Sequence, residues 1–193
     1  MLFCVACRVQ CDQVVLGVVA LTTTLALPAR AAEAPQMPAP SPEMGQVAYF
    51  VGSWSCTGKA ETTPLGPAHA TQADVHVRKE FNDFWDIGHY VEKKTAENPH
   101  PMSFAFVMGY DTAAKALTLD GYDAFGGRSH QTASGWKDGK LVFDGQNLGT
   151  DGQSTPARDT FTKKSETTME HLGEMQFGGQ WTRIDAETCT RGK

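Results

Sequence analysis

From Trp54 to the C-terminus, apolar and polar residues alternate with a period of two. Ala73, Val75, Val77 and Phe81 alternate with Asp74, His76, Arg78 and Glu80, and Met102, Phe104, Phe106 and Met108 alternate with Ser103 and Ala105. Successive side chains on a strand point to opposite faces, so the pattern predicts half-buried strands. Turn signals interrupt it at short intervals, at Asn98-Pro99, Asp111 to Lys115, Phe125-Gly126-Gly127, Asp138-Gly139, Asp151-Gly152 and Gly178-Gly179. The spacing predicts about ten strands joined mostly by hairpins, with no long helix and no βαβ unit. A meander of this kind hides its edge strands by closing. The predicted fold is therefore all-β, an up-and-down antiparallel barrel.

Helical spacing occurs once, just before the strands. Ser41-Pro42-Glu43 has the order of an N-cap, a first-turn proline and a first-turn acid, and Met44, Val47, Ala48 and Val51 follow at helical intervals, predicting a short N-terminal helix up to Gly52. Residues 32 to 43 are proline-rich and read as a linker ahead of a barrel domain at 44 to 193. Residues 1 to 31 have the layout of an export signal: Arg8, an apolar run from Val14 to Leu27, and small residues flanking Arg30. The run is shorter than the roughly 20 residues a membrane helix needs. The expectation is a signal peptide, a periplasmic or secreted product, and no stable membrane span once the signal is removed.

Loss of residues 1 to 31 removes Arg8, Arg30 and Asp12 from 17 basic and 22 acidic residues, moving the net charge from −5 to −6. With no Lys/Arg cluster to neutralise phosphates, a nucleic-acid partner is not expected. The same cut removes Cys4, Cys7 and Cys11 and leaves Cys56 and Cys189. Two cysteines in an exported chain predict a disulfide.

The order GSWSC near the start, GYD at 109 to 111 and 121 to 123, SGW at 134 to 136 and a C-terminal GGQW with a late cysteine resembles the bacterial domain-of-unknown-function family 1579 and, more broadly, lipocalin-like (calycin) barrels. The resemblance implies a lipocalin-like fold with no agreed activity. It also implies that Trp54, two residues after Gly52 at the head of the first strand, packs against an arginine of the last strand to close one end. If Cys56 and Cys189 face each other across antiparallel first and last strands, Trp54 falls opposite Arg191. The apparent parity of the last strand leaves an alternative. Asp185, Glu187, Cys189 and Arg191 share a face that reads as solvent-exposed, so either a bulge turns Arg191 inward or Arg183 partners Trp54.

The six histidines show no metal-ligand spacing, and no nucleophile elbow, phosphate loop or dinucleotide fingerprint is present. No metal site and no cofactor are predicted, and an enzyme is the less favoured class. By strand parity Phe81, Trp85, His89, Phe104, Phe106, Met108, Met169 and His171 point into the barrel, where they either line a cavity for a small apolar or amphipathic ligand or fill it. Three other readings stand beside this one. Nitrobindins share G-x-W near the start, which implies haem on His171, although they carry a glycine-rich run where this chain has SCTGKA. Asp111, Asp123, Arg128 and His130 would form an acid and base site if they met at one mouth. A solid barrel would act as an envelope interaction protein through loops such as that at Phe125.

Overall fold

The computed structural model describes residues 36–192; the predicted signal segment lies outside the described residues. Ten strands follow: β1 (Gly52–Ala60), β2 (His69–Glu80), β3 (Trp85–Glu92), β4 (Ser103–Asp111), β5 (Ala116–Asp123), β6 (Arg128–Ala133), β7 (Lys140–Leu148), β8 (Ser154–Lys163), β9 (Thr168–Phe177) and β10 (Gln180–Arg191). Each pairs antiparallel with its sequence neighbours, and β1 pairs with β10 to close the barrel. The fold is the all-β up-and-down barrel that the alternation predicts.

The N-terminal element is two consecutive 3₁₀ turns, Pro42–Gln46 and Ala48–Phe50. Met44, Val47 and Phe50 are its buried residues, and they recur every third position, the repeat of a 3₁₀ helix. The turns seat these three side chains in one end of the barrel against Trp54, Trp136 and Phe161. Trp136 Nε1 donates to the Gln46 carbonyl at 2.8 Å, and Tyr49 Oη donates to the carbonyls of Ser165 and Thr168 at 2.9 and 3.0 Å. The plug is thus tied to two of the loops around its end.

Along the closing seam, Cys56 lies opposite Cys189 and Trp54 opposite Arg191. The cysteines form a disulfide, buried inside the wall. The Arg191 guanidinium stacks 4.1 Å above the Trp54 ring and donates to the carbonyls of Tyr49 and Val51, while Trp54 Nε1 donates to the Phe50 carbonyl at 2.8 Å. A Cβ at Gly52, whose φ is +125°, would sit 2.8 Å from Arg191 Nη1, so the seam needs glycine there for backbone and for space. Arg183 faces outward and pairs with Glu61 at 2.8 Å.

Met108, Leu117, Leu141, Phe143 and Met169 fill the plugged half. Higher in the barrel, the Phe106 ring lies over Gly88, within 2.0 Å of where a Cβ would stand. Glycine here makes room for an aromatic side chain from the next strand.

The disulfide closes a separation of 133 residues. Loop entropy assigns such a bridge about 4 kcal/mol or somewhat more. Denaturant unfolding of the Cys56→Ala/Cys189→Ala double variant is expected to show a loss of that order, with the barrel still formed; intact mass should show one alkylatable pair only after reduction.

Candidate functional site

The half of the barrel away from the plug has a different interior. Inward positions of β8, β9 and β10 carry Asp159, His171, Asp185 and Glu187, and those of β2, β3 and β6 carry His69, Thr71, Tyr90, Glu92 and Gln131. His171 Nε2 lies 2.8 Å from Asp159 Oδ1, and its Nδ1 lies 3.1 Å from Asp185 Oδ1. Gln131 Nε2 donates to the other Asp159 oxygen at 2.6 Å. Tyr90 Oη donates to Glu187 at 2.9 Å, and Thr71 lies against the same carboxyl. Glu92 takes His69 Nε2 at 3.2 Å and the Met102 backbone N–H at 2.8 Å. One polar layer therefore crosses the barrel above an apolar floor.

Although they face inward, the side chains of His171, Asp159 and Asp185 keep 19%, 26% and 27% of their exposure. The side chains around the plug are almost fully buried. The polar layer is therefore less tightly covered than the plugged end.

Electrostatics follow from this setting. Burial pushes the His171 imidazolium toward losing its proton, but the Asp185 charge and the contacts to Asp159 and Asp185 outweigh it and hold the pKa well above 6.5. Burial raises the Glu187 carboxyl, opposed by the nearby Thr71 hydroxyl and the Tyr90 hydrogen bond and helped by the Asp185 charge. The Tyr90 phenol is raised by burial and by Glu187. His171 is a cation set between two carboxyl groups, and the Glu187 carboxyl is shifted up from its ordinary range by burial.

Phe104, Phe106, Met108, Met169 and His171 face the interior. Phe81, Trp85 and His89 do not. Phe81 lies in the β2–β3 turn at φ +51° and is 67% exposed, and Trp85, Ile87, His89 and Val91 form the outer face of β3. The inner face is Asp86, Gly88, Tyr90 and Glu92. Alternation fixes which residues share a face, and the more apolar set is here the outer one. The inner set is held by Phe106 over Gly88, by the Tyr90–Glu187 bond and by the Glu92 contacts. The last strand reverses in the same way. The face of Asp185, Glu187, Cys189 and Arg191 is the inner one, and a bulge between Arg183 and Asp185 sends those two side chains to opposite sides of the wall.

The acid and base grouping does not assemble. Asp111 caps the β4–β5 turn at the plugged end, through Ala113 and Ala114, while Asp123 caps the β5–β6 turn at the other end, through Phe125 and Gly127. His130 pairs with Asp120 at 2.6 Å on the outer wall. Two shallow depressions also lie outside, one of about 450 Å³ beside Ser53, His76 and His89, the other of about 500 Å³ among Phe81, Trp85, Ile87, Val107 and Tyr122.

For haem, the donor set does not fit: carboxylate oxygens of Asp159 and Asp185 stand 2.8 and 3.1 Å from the two ring nitrogens of His171, in the space an iron would have to occupy. Among the described residues, Cys56, Glu187 and Cys189 are the one grouping close enough to hold a metal ion, and the disulfide takes both sulfurs. Sequence reasoning missed Asp159, Asp185, Glu187, Tyr90 and Gln131. The available signal was the strict alternation of carboxyls at 185 and 187 in phase with Cys189, once that cysteine is placed inside.

No protein-family model matches the chain, and no curated protein does. The likeness to family 1579 therefore rests on its short motifs. Among solved structures the chain is similar to the crystal structure of Rv2717c from M. tuberculosis, with a TM-score of 0.62 at 11% identity, covering 80% of this chain and 99% of that one. This shows a shared barrel fold.

Because the folded pKa of His171 is raised, its stabilising contribution is complete below the unfolded value and is lost as pH rises through the folded one. The stability gap between wild type and His171→Gln is therefore expected to be widest near about pH 6 and to shrink toward alkaline pH. Urea unfolding of both proteins across that range checks it, and a gap that widens with pH would contradict the pairing.

Proposed function

We propose that the barrel is an exported carrier that takes a small amphipathic molecule through its unplugged end. One observation supports this above the rest: inward His171, Asp159 and Asp185 retain contact with water in a barrel sealed at the opposite end. The apolar part of the ligand would lie along Phe104 and Phe106, whose rings stack at 6.0 Å, and Phe161. Met108 and Met169 belong to the packed floor below. The polar group would meet the layer around His171. Export is supported by the leader-like residues 1 to 31 and by the buried disulfide; among the described residues no helix is long and apolar enough to cross a membrane.

A neutral dye such as Nile red, titrated into the native protein, is expected to brighten saturably at one site. Thr155→Trp, which places a large side chain on an inward position of β8 near the mouth, should weaken that binding about tenfold or more. A signal unchanged in this variant would move the dye to the outer aromatic depression, and no signal at all would remove the carrier reading.

A further inference from the structure

The polar layer also specifies which head group it accepts, an inference that rests on the carrier reading above. Among the described residues of the unplugged half, the inward ionisable side chains in the layer are Glu92, Asp159, Asp185 and Glu187, set against His69 and His171, with no lysine or arginine. Asp123, at the rim, accepts the Phe125 and Gly127 backbone N–H groups of its own turn. Both histidines are committed, His69 to Glu92 and His171 to two aspartates. No cation is left over to receive an anionic ligand.

The hydrogen-bond inventory points the same way. Gln131 is 2% exposed, its amide nitrogen donates to Asp159, and its Oε1 has no partner. Asp185 Oδ1 is also buried without a hydrogen bond, lying within ion-pair distance of His171 but out of line with its N–H. Buried polar groups left unmade cost about as much as a lost hydrogen bond, so such acceptors mark where a donor is missing. The layer has unused acceptors and surplus carboxyl groups. Aromatic faces at Tyr90 and Phe161 stand beside it, the latter with its ring centre 4.9 Å from that of His171. Such faces attract a desolvated cation.

We infer that the barrel selects a cationic head group, binding the ammonium of a small amphipathic amine at Asp185, Asp159 and Gln131 with the hydrocarbon part along Phe104 and Phe106. A protonated amine supplies up to three donors and a positive charge. An alcohol of the same length supplies one donor and no charge, and a carboxylate brings a third negative charge to the aspartate pair.

Calorimetric titration of octylamine, octanol and octanoate into the native protein near neutral pH tests this without any substitution. Octylamine is expected to bind about tenfold tighter than octanol, as for a charge-assisted hydrogen bond, with octanoate weakest. Asp185→Asn should bring octylamine affinity down to within about twofold of that variant's own octanol affinity. Equal binding of octylamine and octanol, or tightest binding of octanoate, would overturn cation selection and leave the carrier reading standing. Failure of all three to bind would overturn the carrier reading itself.

Discussion

A ten-stranded meander becomes a barrel only when its first and last strands meet, and that seam must be specified across nearly the whole length of the domain. Hydrogen bonds alone leave the register free to slip. Two side-chain pairs on the inner face of the seam prevent it: the Cys56–Cys189 disulfide and, one inward position toward the plug, Trp54 with Arg191. The guanidinium does more than stack. Its bonds to the Tyr49 and Val51 carbonyls fasten the 3₁₀ turns to β10, so closing the wall and sealing its end are one event. A planar, permanently charged fork suits the task, because it can face a ring and reach two carbonyls at once.

Sealing one end lets the two halves of the interior differ. The plugged half is close-packed and, Asp86 apart, apolar. The other half holds carboxyls and histidines that a solid core would exclude, since charges placed there must be paired and still repay little of their desolvation. The layer meets that demand only in part: His171 is matched by two aspartates and Glu92 by His69, while Glu187 has only the Tyr90 hydroxyl as its hydrogen-bond donor and Gln131 Oε1 stays without a partner. A barrel that needed only to stand would gain by replacing this layer with leucines. Its presence is a departure from what stability alone would favour, and the carrier proposed above would account for it.

The sequence carried the strand count and the closure, because period-two alternation and hairpin chemistry are local. The Cys56–Cys189 disulfide was legible from a different signal, the two cysteines that remain in a chain read as exported. It did not carry the direction of each face. On β3 the apolar set Trp85, Ile87 and Val91 lies outside, and the acids Asp86 and Glu92 lie inside; the partners of Glu92, His69 and the Met102 N–H, come from other segments, and Asp86 has none. On β10 the bulge beyond Arg183 breaks the parity on which the choice of arginine depended. The short helix at the plug is legible from Met44, Val47, Ala48 and Val51; its 3₁₀ pitch, which buries the every-third set ending at Phe50, is not. Where a side chain's environment is supplied by the rest of the barrel, local pattern is silent.

The chain enters the barrel through the plug, and β10 runs back to the same end, where Gly192 N–H bonds the Ser53 carbonyl. Both ends of the domain therefore emerge beside the sealed base, and the mouth opens on the opposite side. Whatever is joined to the domain at either terminus, whether a natural tether, an affinity handle or a solid support, takes hold of the base and leaves the opening turned toward solution.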